Sequence, residues 1–263
     1  MSSVTIGDIE VAYTEAGDGP PVVLVHGLAE DRGTWSAQQS ALTGVRTLAY
    51  DLRGHGGTTL GSPDGSLAQL GADLLGFLEA VTGPATVVGF SLGGTVALWA
   101  AAERPDLVTH AVVLGTSSVV GRAATGFYAG RIELAGDTTT PEFRTALRDD
   151  TAAALVTPDA PLDAIVEARL AAVGDGRGYA NAARAMSALN AAPLTPRLAD
   201  VAVPVDVVGA AGDTFCPPKA ARIITDALSD VSYHEIPDAG HLMNVDNPDA
   251  VTAAIRTTLS GRN

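Results

Sequence analysis

Ser91 stands between two glycines in the stretch GFSLG, residues 89–93, directly after an apolar run and directly before a run of helix-forming residues. This order predicts a strand, an abrupt turn and a helix. A Cβ two residues to either side of such a turn would collide where the helix folds back on the strand, so glycines leave the hydroxyl clear. The start of the helix also directs amide N–H groups at whatever the serine attacks. The spacing therefore predicts that Ser91 is a nucleophile.

A serine hydroxyl attacks at neutral pH only when a base takes its proton and a carboxylate holds that base. The chain has five histidines. His241 lies on a loop that a glycine opens, after the last predicted strand, and loops at the carboxyl ends of parallel strands carry the chemistry of such sheets. We therefore predict that His241 is the base. The other histidines are interpreted as structural: His26, His55, His110 and His234.

The predicted acid is Asp213, which follows the apolar run VDVVGA, residues 205–210, at the carboxyl end of a strand. Asp206 lies inside the same run and is interpreted as an edge or solvated carboxylate. Asp213 would fix the tautomer of His241 and stabilise the imidazolium that forms during reaction. Cys216 is interpreted as a small buried residue, because no basic neighbour would lower its pKa and make it a second nucleophile.

Two N–H groups are needed to stabilise the negative oxygen that forms on an attacked carbonyl. The first is predicted to be the backbone N–H of Leu92, which directly follows the nucleophile. The second is predicted to be that of Leu28, in the loop after the run PVVLV, residues 21–25, where Gly27 lets the backbone approach the substrate. The expected oxyanion hole therefore consists of backbone groups of Leu28 and Leu92.

Strands and helices must position these residues. Short apolar runs, typical of strands buried on both faces, alternate with helical patterns at residues 66–81, 92–103, 217–228 and 248–259. This alternation predicts a mostly parallel sheet with helices on both faces, after an opening hairpin at residues 7–8. We predict that residues 1–117 and 198–263 form an α/β core. Residues 118–197 show no strand pattern and are predicted to form a helical cap, or lid, inserted in that core.

Composition restricts the partners of the protein. The net charge of −14 repels nucleic acid and anionic membranes, and no basic run overcomes that repulsion. No apolar run reaches the ~18 residues that span a bilayer, and the amino terminus lacks a signal-peptide pattern. One cysteine provides neither an internal disulfide nor a CxxC metal spacing. We expect a cytoplasmic protein that needs no metal or cofactor and binds a small molecule; the sequence carries no signal of oligomeric state.

The order Ser91, Asp213, His241, together with the motifs VHGL, DLRGHGGT, GFSLGG, GAAGDTFCPP and AGHLMNVDNP, resembles the α/β-hydrolase superfamily over essentially the whole chain. Within it, the stretch GFSLGGTVALWAAAERPDLVTHAVVLGTSS is most similar to the 3-oxoadipate enol-lactonase and small esterase branch. The resemblance implies the α/β-hydrolase fold, with residues 118–197 matching the family's variable cap. It also implies a serine hydrolase that cleaves a carboxylic ester or lactone of a small molecule through an acyl-serine intermediate.

Other chemistries of the same fold stay open. Ser91 argues against the dehalogenase and epoxide-hydrolase members, which carry aspartate at the nucleophile position. The remaining alternatives are hydrolysis of a carbon–carbon bond and the formation of peracids, as in the cofactor-free haloperoxidase branch. A binding protein with a vestigial site is disfavoured by the complete set of serine, histidine and aspartate. Turnover of a short p-nitrophenyl ester that Ser91→Ala abolishes would separate an enzyme from a binding protein.

The residues expected to contact the substrate include a cap arginine. Arg122 and Arg131 are nine positions apart on a predicted helix, two and a half turns, so at most one of them points at the pocket. One interpretation is that Arg122, which is nearer the strand end, binds a substrate carboxylate. The other is a solvated cap face with surface ion pairs. The expected substrate contacts are Trp35, Phe90, Arg122, Tyr128 and Leu242.

Overall fold

The computed structural model describes residues 2–260, and its centre is an eight-stranded sheet. The strands are β1 Ser2–Ile6, β2 Ile9–Ala16, β3 Pro21–Val25, β4 Arg46–Tyr50, β5 Ala85–Phe90, β6 Val108–Leu114, β7 Val205–Ala210 and β8 Val231–Ile236. Their order across the sheet is β1-β2-β4-β3-β5-β6-β7-β8. β2 runs antiparallel to β1 and β4, and all other neighbours are parallel. The predicted opening hairpin and mostly parallel sheet are confirmed.

The central strands are apolar because both of their faces are covered. Every residue of β7 is buried, as are all but one residue of β5 and all but one of β6. Strands of this kind appear in a sequence as continuous apolar runs without alternation. The edge strand β1 is largely exposed instead. Burial on both faces therefore explains why the central runs predict strands.

Helices cover both faces of the sheet. Those within the described residues are α1 Ser36–Ala41, α2 Leu67–Phe77, α3 Leu92–Glu103, α4 Arg122–Leu134, α5 Pro141–Ala153, α6 Leu162–Val173, α7 Arg177–Ala188, α8 Pro218–Ala227, α9 Met243–Asp246 and α10 Pro248–Ser260. α1 and α10 pack on one face, and α2, α3 and α8 pack on the other. This arrangement confirms the predicted α/β fold class. Within residues 2–260, no helix combines the length and the apolar content needed to cross a bilayer.

Two apolar clusters, one on each face of the sheet, hold the layers together. Leu74 and Phe77 of α2 are fully buried on one face, and Val251 and Ile255 of α10 are fully buried on the other. Complete burial of each such side chain stabilises the fold by about 1.5–3 kcal/mol. α3 is buried on nearly all sides, and its many glycines and alanines let it lie close to β5. This close packing positions the turn that carries Ser91.

The stretch between β6 and β7 consists of helices α4 to α7 with their connections, and residues 118–197, all of them described, contain no strand. A third apolar cluster joins this stretch to the loop after β3. In it Ala29 packs with Phe143, Val173 and Tyr179. The helical stretch therefore lies against the loop that was predicted to supply an oxyanion donor. The division into a core and a cap at residues 118–197 stays a prediction.

Candidate active site

Ser91 lies on a tight turn between β5 and α3. Its φ of 52° is in the left-handed region, which residues other than glycine rarely adopt. A Cβ at Gly89 would lie 2.3 Å from the Gly93 carbonyl oxygen, and a Cβ at Gly93 would lie 2.2 Å from the Val25 carbonyl oxygen. Both contacts are too short for any side chain. The turn therefore requires both glycines: Gly89 for the predicted reason, that α3 folds back on β5, and Gly93 because α3 also approaches the end of the neighbouring strand β3.

A chain of hydrogen bonds leads from Ser91 to a buried carboxylate. His241 Nε2 is 3.0 Å from Ser91 Oγ, and His241 Nδ1 is 2.8 Å from Asp213 Oδ2. Ser91 follows β5, Asp213 follows β7 and His241 follows β8, so all three lie at the carboxyl edge of the parallel strands. The structure brings together the three residues predicted for nucleophile, base and acid. Their spacing is that required for general-base activation of a hydroxyl.

Asp213 is held by three hydrogen bonds. Its Oδ1 accepts from the N–H groups of Phe215 at 2.9 Å and Cys216 at 2.8 Å, and its Oδ2 accepts from His241 Nδ1. For this last bond Nδ1 must carry the hydrogen, which leaves Nε2 of His241 as an acceptor facing Ser91. The carboxylate therefore fixes the imidazole tautomer that can take a proton from the serine.

Two aromatic rings flank the His241 imidazole. The Phe90 and Phe215 ring centroids lie 5.1 Å and 5.2 Å from the imidazole centroid, and the Phe215 ring is stacked at 30°. The preceding Gly240 donates its N–H to Asp246 at 2.8 Å, which holds the loop in place. Phe215 and Asp246 lie within the motifs GAAGDTFCPP and AGHLMNVDNP, but neither motif predicts their contacts, which depend on how the two loops fold around His241.

The loop after β3 is fixed through its peptide groups. His26 Nδ1 donates to the Gly27 carbonyl oxygen at 2.7 Å, and His26 Nε2 accepts from the Leu52 N–H at 2.9 Å. Burial lowers the pKa of His26 to about 4, so this imidazole is neutral at pH 7. Because the peptide is planar and trans, the Leu28 N–H points away from the held carbonyl. Within residues 2–260, neither the Leu28 nor the Leu92 N–H has an acceptor, so both are available to a substrate oxygen.

Glu30 is a buried acid within this loop. It is 8 % exposed, and its Oε2 accepts from the Gly27 N–H at 3.0 Å. Burial raises the pKa of Glu30 above its ordinary value. The residue has no place in any motif of the sequence, and only its contact with Gly27 reveals it. Glu30 thus binds the N–H of Gly27 and His26 binds its carbonyl oxygen, so both peptide groups of Gly27, the residue that precedes Leu28, are fixed.

If Leu28 is the predicted oxyanion donor, we expect Glu30→Ala to lower kcat for a short ester about tenfold, because the released loop would move the Leu28 N–H out of position. Glu30→Gln keeps an acceptor oxygen for Gly27 and should retain most of the activity. Steady-state kinetics of both variants measure the effect, with thermal unfolding as the control for folding. A Glu30→Ala protein with wild-type kcat would show that the loop needs no help from this side chain.

A cavity of about 640 Å³ opens beside Ser91. Its walls come from the carboxyl edge of the sheet and from helices α4 to α8, and most of the lining side chains are apolar. The expected contacts Phe90, Tyr128 and Leu242 line it, as does Leu28. A cavity of this size and character suits a small organic molecule.

The structure corrects two expected substrate contacts. Trp35 is fully buried and packs with Val22 and Leu24 under the face covered by α1 and α10, because the 3₁₀ turn Arg32–Trp35 directs its ring into the core. Arg122 is exposed and does not line the cavity. It is the first residue of α4, and the cavity contacts that helix through later residues such as Phe127 and Tyr128.

The arginine that lines the cavity is Arg169, on α6. Arg131 is bound to Asp150 through two hydrogen bonds of 2.7 Å and lies over the Phe127 ring, 4.8 Å from its centroid. Neither arginine considered in the sequence therefore presents a free guanidinium to the cavity. Arg169 is far from every motif, so its position could not be read from spacing.

Asp213, Cys216 and His241 are the one trio among the described residues whose possible metal-ligand atoms lie within 4.8 Å of one another. Asp213 and His241 are hydrogen-bonded to each other. Burial raises the pKa of the Cys216 thiol to about 12, which disfavours the thiolate form that binds metals. The donor set therefore fits proton transfer better than metal binding.

The chain belongs to the family described as alpha/beta hydrolase fold, which it matches over residues 20–248. It is 32% identical over 260 residues to BpoC of Mycobacterium tuberculosis, a provisionally assigned non-heme bromoperoxidase, and the match covers 94% of this chain and 96% of the relative. The enol-lactonase structure from Burkholderia xenovorans LB400 superposes with a TM-score of 0.87 at 25% identity, covering 98% and 100% of the two chains. A malate-bound esterase from Thermogutta terrifontis superposes with a TM-score of 0.85 at 26% identity, covering 99% of each.

Proposed function

We propose that this enzyme of the α/β-hydrolase family cleaves a carboxylic ester or a lactone of a small molecule through an acyl-Ser91 intermediate. The observation that carries the proposal is the continuous chain of hydrogen bonds Asp213–His241–Ser91 at the wall of the cavity. The similarity to an enol-lactonase and an esterase supports the same reaction class.

In the proposed reaction, His241 Nε2 takes the proton of Ser91 as its Oγ attacks the substrate carbonyl. The carbonyl oxygen becomes negative and is stabilised by the N–H groups of Leu28 and Leu92. His241 then gives the proton to the leaving alkoxide, and the alcohol departs from the acyl-enzyme. Water attacks the acyl group by the same steps in reverse, with His241 again as base. Asp213 keeps the hydrogen on Nδ1 and stabilises the imidazolium throughout.

We propose that the helical stretch at residues 118–197 forms the cap over this site, and the residues that it contributes to the cavity support this role. Val120, Phe127 and Tyr128 contribute to the cavity from the first part of the stretch, and Tyr179 and Met186 contribute from α7. These side chains are mostly apolar and would shield the acyl-enzyme from bulk water. We propose that this cap, and with it the shape of the cavity, selects the substrate.

Perhydrolysis is the second candidate, because the relative at 32% identity is a provisionally assigned bromoperoxidase. The same acyl-enzyme would then transfer its acyl group to hydrogen peroxide, which forms a peracid and frees Ser91. This candidate uses the same three residues and the same oxyanion donors. The choice between the two depends on how well water and peroxide compete for the acyl-enzyme.

The test uses short p-nitrophenyl esters with the wild-type protein. We expect a burst of p-nitrophenol followed by steady turnover, and an intact-mass increase equal to the acyl group that peptide mapping places on Ser91. Added hydrogen peroxide should leave the acid as the main product; a peracid as the main product would favour the second candidate. A protein that releases no p-nitrophenol and gains no acyl mass would overturn the proposal.

A further inference from the structure

We propose that Arg169, with the hydroxyls of Tyr128 and Tyr179, forms a carboxylate-binding subsite in the cavity beside Ser91, so that the preferred substrate is an ester or lactone carrying a second, ionised carboxylate. The inference rests on the proposed function and narrows its substrate class. The subsite lies on helices α4, α6 and α7, which line the same cavity as Ser91 and His241.

The Arg169 guanidinium lacks partners for several of its hydrogen-bond donors. Its Nε is buried and has no hydrogen-bond partner, and its Nη2 reaches the Leu28 carbonyl oxygen only at 3.5 Å. Among the residues described, Arg169 forms no ion pair. An always-charged group with unsatisfied donors in a cavity wall is costly unless a ligand completes its contacts. A carboxylate is the ligand whose two oxygens match the guanidinium.

The acids near Arg169 do not supply that ligand. Asp150 also lines the cavity, but both of its oxygens are bound by Arg131. Glu30 interacts electrostatically with Arg169, yet its Oε2 is bound by the Gly27 N–H, and burial raises its pKa, which disfavours its charged form. The positive charge of Arg169 is therefore incompletely neutralised by the protein.

Two tyrosine hydroxyls extend the subsite. Tyr128 and Tyr179 both line the cavity, and within residues 2–260 neither hydroxyl makes a hydrogen bond to another residue. Burial raises the pKa of Tyr179 to about 12 even though the nearby charge of Arg169 lowers it in part, and burial also raises the pKa of Tyr128. Both hydroxyls are thus protonated at pH 7 and can donate to an anion.

The net charge of the protein bears on how an anionic substrate could be selected. With a net charge of −14, the chain repels anions at long range. Selectivity for an anionic substrate must therefore come from contacts inside the cavity, which salt screens much less than it screens surface charges. A preference that survives high salt is the signature of such a subsite.

The experiment compares p-nitrophenyl hemiesters of succinate, glutarate and adipate with neutral isosteres in which an isopropyl group replaces the carboxylate. We expect the wild type to prefer at least one hemiester over its isostere. Arg169→Gln should lower kcat/KM for that hemiester about tenfold or more, mainly through KM, the size expected for hydrogen bonds to a charged group. The neutral isostere should change by less than about threefold. Arg122→Gln removes the same charge from an exposed position and is the matched control; it should leave both substrates unchanged.

Equal losses on both substrates in Arg169→Gln would overturn the subsite and assign Arg169 to positioning the Leu28 loop. If Arg122→Gln lowered kcat/KM for the hemiester as much as Arg169→Gln does, the effect would come from the charge of the protein surface and not from a subsite. Calorimetric binding of glutarate to Ser91→Ala, with and without Arg169→Gln, separates this inference from the reaction. Binding that depends on Arg169 supports the subsite even if no ester is cleaved, and binding that is absent or independent of Arg169 overturns it even if esters are cleaved.

Discussion

Replacing Ser91 with alanine is expected to lower kcat for a short p-nitrophenyl ester by about 10⁵-fold or more while the protein stays folded. The oxyanion donors and the cavity remain, but the acyl-enzyme cannot form, so only a small acceleration over the reaction in water is left. Alanine should not disturb the turn. A φ of 52° has nearly the same conformational free-energy cost for serine and for alanine, because both carry a Cβ and neither adopts positive φ as readily as glycine does.

Ser117→Ala is the matched control for that substitution. Ser117 also lines the cavity, and its hydroxyl contacts the Cys216 sulfur at 3.2 Å instead of His241. We expect this variant to stay within a few-fold of wild-type activity. Thermal unfolding of both variants checks that the fold persists. Ester turnover by Ser91→Ala within a few-fold of wild type would assign the nucleophile to another residue.

The three residues of the hydrogen-bonded chain could be predicted because local patterns mark each of them. Gly89 is forced by the close packing of α3 on β5, and Gly93 by the close approach of α3 to the end of β3. Asp213 and His241 follow buried strands, and parallel strands bring their carboxyl ends to one edge of the sheet. A short-range sequence pattern and a rule of sheet topology are therefore enough to predict that these residues lie near one another.

Side-chain direction could not be predicted in the same way. The helices between β6 and β7 carry polar residues on more than one face, so the sequence does not say which face meets the cavity. Arg122 and Arg169 both lie on helices between β6 and β7, yet one is exposed and the other lines the cavity. Asp206 was interpreted as an edge or solvated carboxylate, but it is buried and bound to His110. These outcomes depend on tertiary packing that no short window of sequence contains.

Asp213→Asn is expected to slow acylation by roughly 10³ to 10⁴ with little change in structure. The reason lies in the three hydrogen bonds of the carboxylate. Its Oδ1 accepts from the Phe215 and Cys216 N–H groups, so an asparagine would place its oxygen there and its NH₂ toward His241 Nδ1. An NH₂ donor requires Nδ1 to be an acceptor, which moves the imidazole hydrogen to Nε2. His241 would then donate to Ser91 and could not take its proton.

The opposite orientation of the asparagine does not rescue the site, because its NH₂ would then face the two backbone donors that Asp213 Oδ1 accepts from. Asp206→Asn is the matched control, since it makes the same change in a buried aspartate that contacts a histidine, His110 at 2.5 Å, away from Ser91. It should lower the unfolding temperature without slowing acylation. Stopped-flow release of p-nitrophenol measures acylation in both variants. If Asp213→Asn acylates at nearly the wild-type rate, the acid of the reaction is a different carboxylate; if both variants slow equally, the loss reflects general destabilisation and not the tautomer of His241.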